Sequence, residues 1–84
     1  MKVDFRHIEI ENINEEKEVV DIAKVFGNAI FPQATNFEEY TLAKKIWKNG
    51  EVELTDADVE IVKKYATQIF PSYVLQQGII NAMK

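Results

Sequence analysis

Apolar and polar positions alternate at the start of the chain. Val3 and Phe5 flank Asp4, and after a slip at His7 the same period resumes at Ile8 and Ile10 against Glu9 and Glu11. Period two marks a half-buried strand. The spacing fits a strand with a bulge, or two short strands with a tight turn near Arg6 and His7; that pair is poor chemistry for a tight hairpin turn, so one bulged strand over residues 2 to 10 is expected. The polar stretch 12 to 16 predicts a reversal, and residues 17 to 20 then run back as a short hairpin arm. The alternative starts a helix at Asn14.

From Ile22 the period changes to three and four. Ile22, Val25, Phe26, Ala29 and Ile30 form one helical stripe, with Asp21 as the expected N-cap and Pro32 ending the helix near Phe31. Asn36 opens a second helix, with Glu39 at capping-box spacing. Its apolar arc carries Tyr40, Leu42, Ala43, Ile46 and Trp47. The helical wheel turns Trp47 with Tyr40 and Ala43 toward the core, and Lys44, Lys45 and Lys48 toward water. Gly50 supplies the stop. Residues 51 to 54 alternate again and predict a short extended link at the edge of the N-terminal strands.

Thr55 caps a third predicted helix with Asp56 and Asp58 in its first turn, where acidic groups complement the helix dipole. Val59, Val62, Tyr65, Ala66, Ile69 and Phe70 line its core stripe, and Glu60, Lys63, Lys64 and Thr67 face water. Pro71 closes it. Ser72 caps a fourth helix in which Val74, Leu75, Gly78, Ile79, Ala82 and Met83 share one face. Tyr73 and Ile80 fall on the opposite side, which leaves them available for a partner. The expected fold class is α+β: a short N-terminal antiparallel β-hairpin (residues 1 to 20) packed on a bundle of about four helices (21 to 84), in a single domain.

Residues 20 to 32 (VDIAKVFGNAIFP) echo residues 59 to 71 (VEIVKKYATQIFP) at an offset of 39 positions. Each copy is a helix ended by proline, so convergence on the grammar of helix termination explains the match as well as duplication does.

Composition narrows the chemistry. Eighty-four residues allow one core, and no uncharged run approaches the roughly 20 residues of a membrane span. The N-terminal segment has the charge pattern of neither a secretory signal nor an anchor, so cytoplasmic residence is the expectation. There is no cysteine, which removes thiolate metal sites and cysteine nucleophiles. His7 is the single histidine, so a His-based triad or two-histidine site cannot form within one chain. Asp56, Asp58 and Glu60 resemble the opening of a calcium loop, but Ile61 stands where the sharp turn needs glycine and Thr67 where the terminal glutamate belongs. Glu15, Glu16 and Glu18 are paired carboxylates in a charged turn with nothing apolar nearby to shift them. Gly27, Gly50 and Gly78 are too scattered for a phosphate loop. No catalytic residues, cofactor, metal or small-molecule substrate are indicated.

The net charge of −4 argues against broad binding to phosphate backbones, yet it is unevenly spread. Residues 1 to 21 carry a net −4, residues 22 to 50 a net +2 and residues 51 to 84 a net −2. Lys44, Lys45 and Lys48 around Trp47 are the candidate nucleic-acid patch, and the acidic remainder is the candidate DNA mimic. The third and fourth helices imitate a helix-turn-helix, but the recognition helix has only Lys84 as a cation.

Together, the N-terminal hairpin, GNAI at 27 to 30 and LAKKIWKNGEVELTDADVEIVKKY at 42 to 65 resemble small, functionally unassigned proteins of phages, prophages and related mobile elements. The resemblance covers about two thirds of the chain and is most specific over residues 43 to 58. It implies a context of virion assembly or host modulation, in which small acidic proteins act by contact with other proteins, and it carries no catalytic residues across. The expected function is therefore a non-enzymatic protein-interaction module, self-associating as a homodimer through Tyr73 and Ile80. The alternative is a nucleic-acid-associated protein using Lys44, Lys45 and Lys48.

Overall fold

Residues 1–84 are described by a computed structural model. In chain order the elements are β1 (Lys2–Asp4), β2 (Ile8–Glu11), β3 (Lys17–Val20), α1 (Ala23–Ile30), a 3-10 turn (Phe31–Gln33), α2 (Phe37–Asn49), β4 (Glu51–Glu53), α3 (Asp56–Ile69) and α4 (Tyr73–Ala82). The α+β class stands: four helices follow the N-terminal strands, with two antiparallel two-stranded sheets.

Asp4 stops the first strand. Its carboxylate accepts hydrogen bonds from Arg6 N at 3.0 Å and His7 Nδ1 at 2.9 Å, and its carbonyl accepts from His7 N at 3.0 Å. These local bonds replace ladder bonds, the usual way Asp diverts a strand into a turn. The single bulged strand expected over residues 2 to 10 is thus two strands in two different sheets, and His7 lies in an exposed turn. β1 pairs with β4, Val3 opposite Val52, whereas β2 pairs with β3, Ile8 opposite Val20 and Ile10 opposite Glu18. The hairpin arm and the edge pairing of residues 51 to 53 follow the sequence pattern.

The β2–β3 loop is closed by Asn12 N to Glu16 O and Glu15 N to Asn12 O, both 2.9 Å. Glu15 holds φ at 64°, the left-handed residue that a three-residue hairpin loop requires.

α1 begins one position later than expected. Ile22 occupies the N-cap, and Asp21 accepts from Ala23 N at 3.1 Å from just outside the helix. Ala23, Phe26, Gly27 and Ile30 face inward and Val25 is exposed, so the stripe is rotated toward its small residues. Gly27 explains the rotation. A Cβ there would stand 2.7 Å from Trp47 Cβ and 2.9 Å from the Ala43 carbonyl oxygen, so α1 and α2 touch almost backbone to backbone.

α2 is capped as expected at Asn36, whose side chain accepts from Glu39 N at 2.8 Å. It buries Glu39, Leu42, Ala43 and Ile46, while Tyr40 and Trp47 stay outside, contrary to the wheel. The α1–α2 seam is too narrow for large rings, which lie over its outer edge instead. Gly50 ends α2 at φ 74°, a conformation that L side chains rarely adopt, and its carbonyl accepts from Phe5 N at 2.8 Å.

Thr55 and Asp58 form a complete capping box at the start of α3, and Ser72 Oγ accepts from Leu75 N to start α4. Eighteen buried apolar residues form one core cluster, in which the Phe5, Phe26 and Phe70 rings pack in sequence, tilted, with centroids 5.7 and 5.4 Å apart. The internal echo ends differently in its two copies: Phe70 is buried in this core and Phe31 is exposed. No helix is long and apolar enough to cross a membrane.

Candidate functional site

The rings excluded from the α1–α2 seam collect on one surface. Trp47 and Tyr40 are each about two-fifths exposed, Phe31 is 46% exposed and Phe37 76%. Tyr40 joins two of them: the Phe31 and Tyr40 centroids lie 5.1 Å apart and Phe37 stacks on Tyr40 at 6.2 Å, while Trp47 lines a cleft together with Phe31. Three elements build this surface. Pro32 turns the chain into the 3-10 turn and so presents Phe31 outward, the start of α2 places Phe37, and two turns of α2 separate Tyr40 from Trp47.

Lysines interleave with these rings. Lys24 Nζ sits 3.6 Å from the centre of the Trp47 ring, and Lys44 Nζ 5.2 Å from that of Tyr40. Both are within the range of cation–π attraction. Lys44 and Lys48 form a row one helical turn apart, with a cleft on each side. One, of about 190 Å³, is lined by Gly27, Asn28, Phe31, Ala43 and Trp47 with the two lysines. The other, of about 390 Å³, is lined by Phe37, Tyr40, Thr41, Lys45 and Asn49 with the same two.

Charge pairing sets these lysines apart. Lys2, Arg6, Lys17, Lys63 and Lys64 each have a carboxylate oxygen within 4.0 Å. Lys24, Lys44, Lys45 and Lys48 have none, nor does Lys84. In a chain with four more acidic than basic groups, four of its five unpaired cations therefore share one aromatic face.

The other residues singled out in the sequence lie elsewhere. Tyr73 is exposed at the mouth of a cleft of about 670 Å³ between α4 and the β2–β3 hairpin, beside Val74 and the fully exposed Ile13. Ile80, two turns along α4, is half-buried. Asp58 is occupied in the α3 capping box, and no group of three or more His, Asp or Glu is arranged to hold a metal ion.

Glu39 is a buried charge that sequence reasoning missed. Instead of closing the capping box on Asn36, its carboxylate accepts from Tyr65 Oη at 2.6 Å, Thr35 N at 3.1 Å and Lys64 Nζ at 3.2 Å. The bond from Tyr65 is the main reason its carboxyl is held below the ordinary value; desolvation opposes this, and Thr35 and Lys64 assist. Burial, with Glu39 beside it, pushes the Tyr65 phenol up to about 12. Both groups are moved away from neutral pH, so the pair is suited to holding α2 against α3 rather than to exchanging protons. Nothing in the spacing of residues 39, 64 and 65 announces it.

No family model, curated protein or solved structure matches this chain.

Proposed function

We propose that the chain is a non-enzymatic interaction module that docks a macromolecular partner through the aromatic and lysine-bearing face of α1 and α2. One observation carries this reading: Lys24, Lys44, Lys45 and Lys48 have no carboxylate oxygen within 4.0 Å and surround four exposed rings, three of them in contact through Tyr40. Exposed aromatic clusters with cationic rims favour association, because ring burial supplies affinity and unpaired charge supplies orientation. A small docking protein also suits the phage and prophage context that residues 42 to 65 suggest.

Co-purification from the native host with Lys44→Glu/Lys48→Glu tests the reading, since both side chains are exposed and the fold should survive. The variant should lose the partner that the parent chain retains, with an unchanged far-UV circular dichroism spectrum. A partner held equally by both proteins sinks this choice of face.

Self-association through α4 is the second reading, favoured by Tyr73, two-thirds exposed beside Val74 and Ile13 at the open cleft. A second copy would bring both apolar contact and complementary charge, because residues 1 to 21 are acidic and residues 22 to 50 basic.

A further inference from the structure

We infer that the partner docked on the α1–α2 face is single-stranded nucleic acid, with bases entering the clefts on either side of the Lys44 and Lys48 row. The inference rests on the docking reading above and adds the chemistry of the occupant. Single-strand binding combines a cationic track for the backbone with aromatic rings on which bases stack, and it needs no sequence readout. This face has both parts. Phe37 and Tyr40 line one cleft and Phe31 and Trp47 the other, while Lys44 and Lys48, four residues and about 6 Å apart along the helix, run between them. Lys24 and Lys45 flank that row. Of the two acidic side chains of α2, Glu39 is buried and already held by Lys64 and Tyr65, and the exposed Glu38 lines a separate cleft with Phe37 and Lys45.

The geometry favours a strand over a duplex. Phosphate contact alone would need only the lysines, and a helix entering the major groove would project polar side chains rather than Phe37 and Tyr40. It also favours nucleic acid over an acidic peptide, because rings line both clefts, so that stacking can add to charge attraction.

Trp47 is the only tryptophan, so its emission reports on the face directly. The full chain is titrated with oligodeoxythymidylate of about 12 nucleotides, within the usual range of single-strand site sizes, and separately with a duplex of that length and with polyglutamate. Oligodeoxythymidylate should quench Trp47, with a slope of log affinity against log salt of about −2 to −3 if three or four lysines each neutralise a phosphate. A fourfold rise in salt then weakens binding on the order of 20- to 50-fold. Phe37→Ala, at a position too exposed to threaten folding, should weaken binding on the order of tenfold, as loss of a base-stacking ring does. Lys44→Ala/Lys48→Ala should flatten the salt slope by about 1.4. Duplex binding as tight as single-strand binding, or binding indifferent to Phe37→Ala, overturns the inference. A response to polyglutamate without one to the oligonucleotide also overturns it, and shows an acidic protein on the same face with the docking reading intact.

Discussion

The Tyr65 hydroxyl donates to Glu39 Oε1 at 2.6 Å, joining α3 to α2 through the one buried charged side chain of the molecule. The same hydroxyl lies 3.2 Å from the Gln33 carbonyl, but its single hydrogen serves the shorter contact to the carboxylate. Tyr65→Phe leaves Glu39 with Thr35 N, the longer contact from Thr35 Oγ1 at 3.4 Å and the half-exposed Lys64 as donors. It should cost about 1.5–3 kcal/mol in urea unfolding, the range for a hydrogen bond to a charged group. Lys64→Ala should cost less, about 1 kcal/mol or below, since water can reach the lysine it replaces.

Acid should unfold the protein partly through Glu39 and Asp4. Tyr65 chiefly lowers the Glu39 carboxyl from 4.5. At Asp4 burial pushes the carboxyl up, but the bonds from Arg6 and His7 outweigh it and hold it below 3.8. A depressed folded pKa gives stability that is present above the unfolded value and disappears as pH falls through the folded one. The thermal midpoint should therefore decline from about pH 5 downward, and the decline should be shallower in Tyr65→Phe. At the other extreme, Tyr65 binds its proton more tightly folded than unfolded, so stability present below pH 10 should fall as pH approaches about 12.

Gly27→Ala pits two effects against each other. Alanine improves helix propensity by about 1 kcal/mol, but its Cβ would meet Trp47 Cβ and the Ala43 carbonyl at under 3 Å, where neither neighbour is a flexible chain end. Overpacking of this kind costs about 1–3 kcal/mol, so the expected outcome is net destabilisation in chemical unfolding. Because Trp47 rides on the displaced contact, its emission maximum should shift as well.

Most of the helical architecture is legible in the sequence because caps and breakers are local. Asn36, Gly50, Thr55 and Ser72 act within one turn of their own positions, and each performs the part its residue type suggests. The candidate face was misread for the opposite reason. Whether Trp47 turns inward depends on how closely α1 approaches, which Gly27 sets from 20 residues away, and no helical wheel of α2 contains that information. The Lys44, Lys45 and Lys48 cluster was visible; the rings beside it were not. Likewise the period-two pattern around Phe5 is genuine, but Asp4 turns the chain between its two halves.

Glu15→Gly should stabilise the hairpin. Glu15 is the only non-glycine residue at positive φ, a conformation costing about 1–2 kcal/mol for most L residues, while glycine adds back part of that through unfolded-state entropy. A net gain of about 0.5–1 kcal/mol is expected in thermal unfolding. Its side chain makes no ion pair whose loss would offset the gain.

Self-association through α4 predicts that Tyr73→Ser/Ile80→Ser shifts a dimer toward monomer in sedimentation velocity. Ile80 is half-buried, so Tyr73→Ser alone is the cleaner variant, with the smaller effect on folding. A dimer unmoved by either moves the contact away from α4.

The strand pairing also determines what happens if the backbone is cut. Scission at the exposed hairpin tip, after Ile13, would sever residues 1 to 13 from the rest, yet β1 pairs with β4, and β2 with β3 and packs on α4, so every neighbour of this peptide lies in the larger piece. Val3, Phe5 and Ile8 remain keyed into the core. The molecule is thereby laid out as a natural split pair, a short peptide and its receptor, each carrying what the other needs for reassembly.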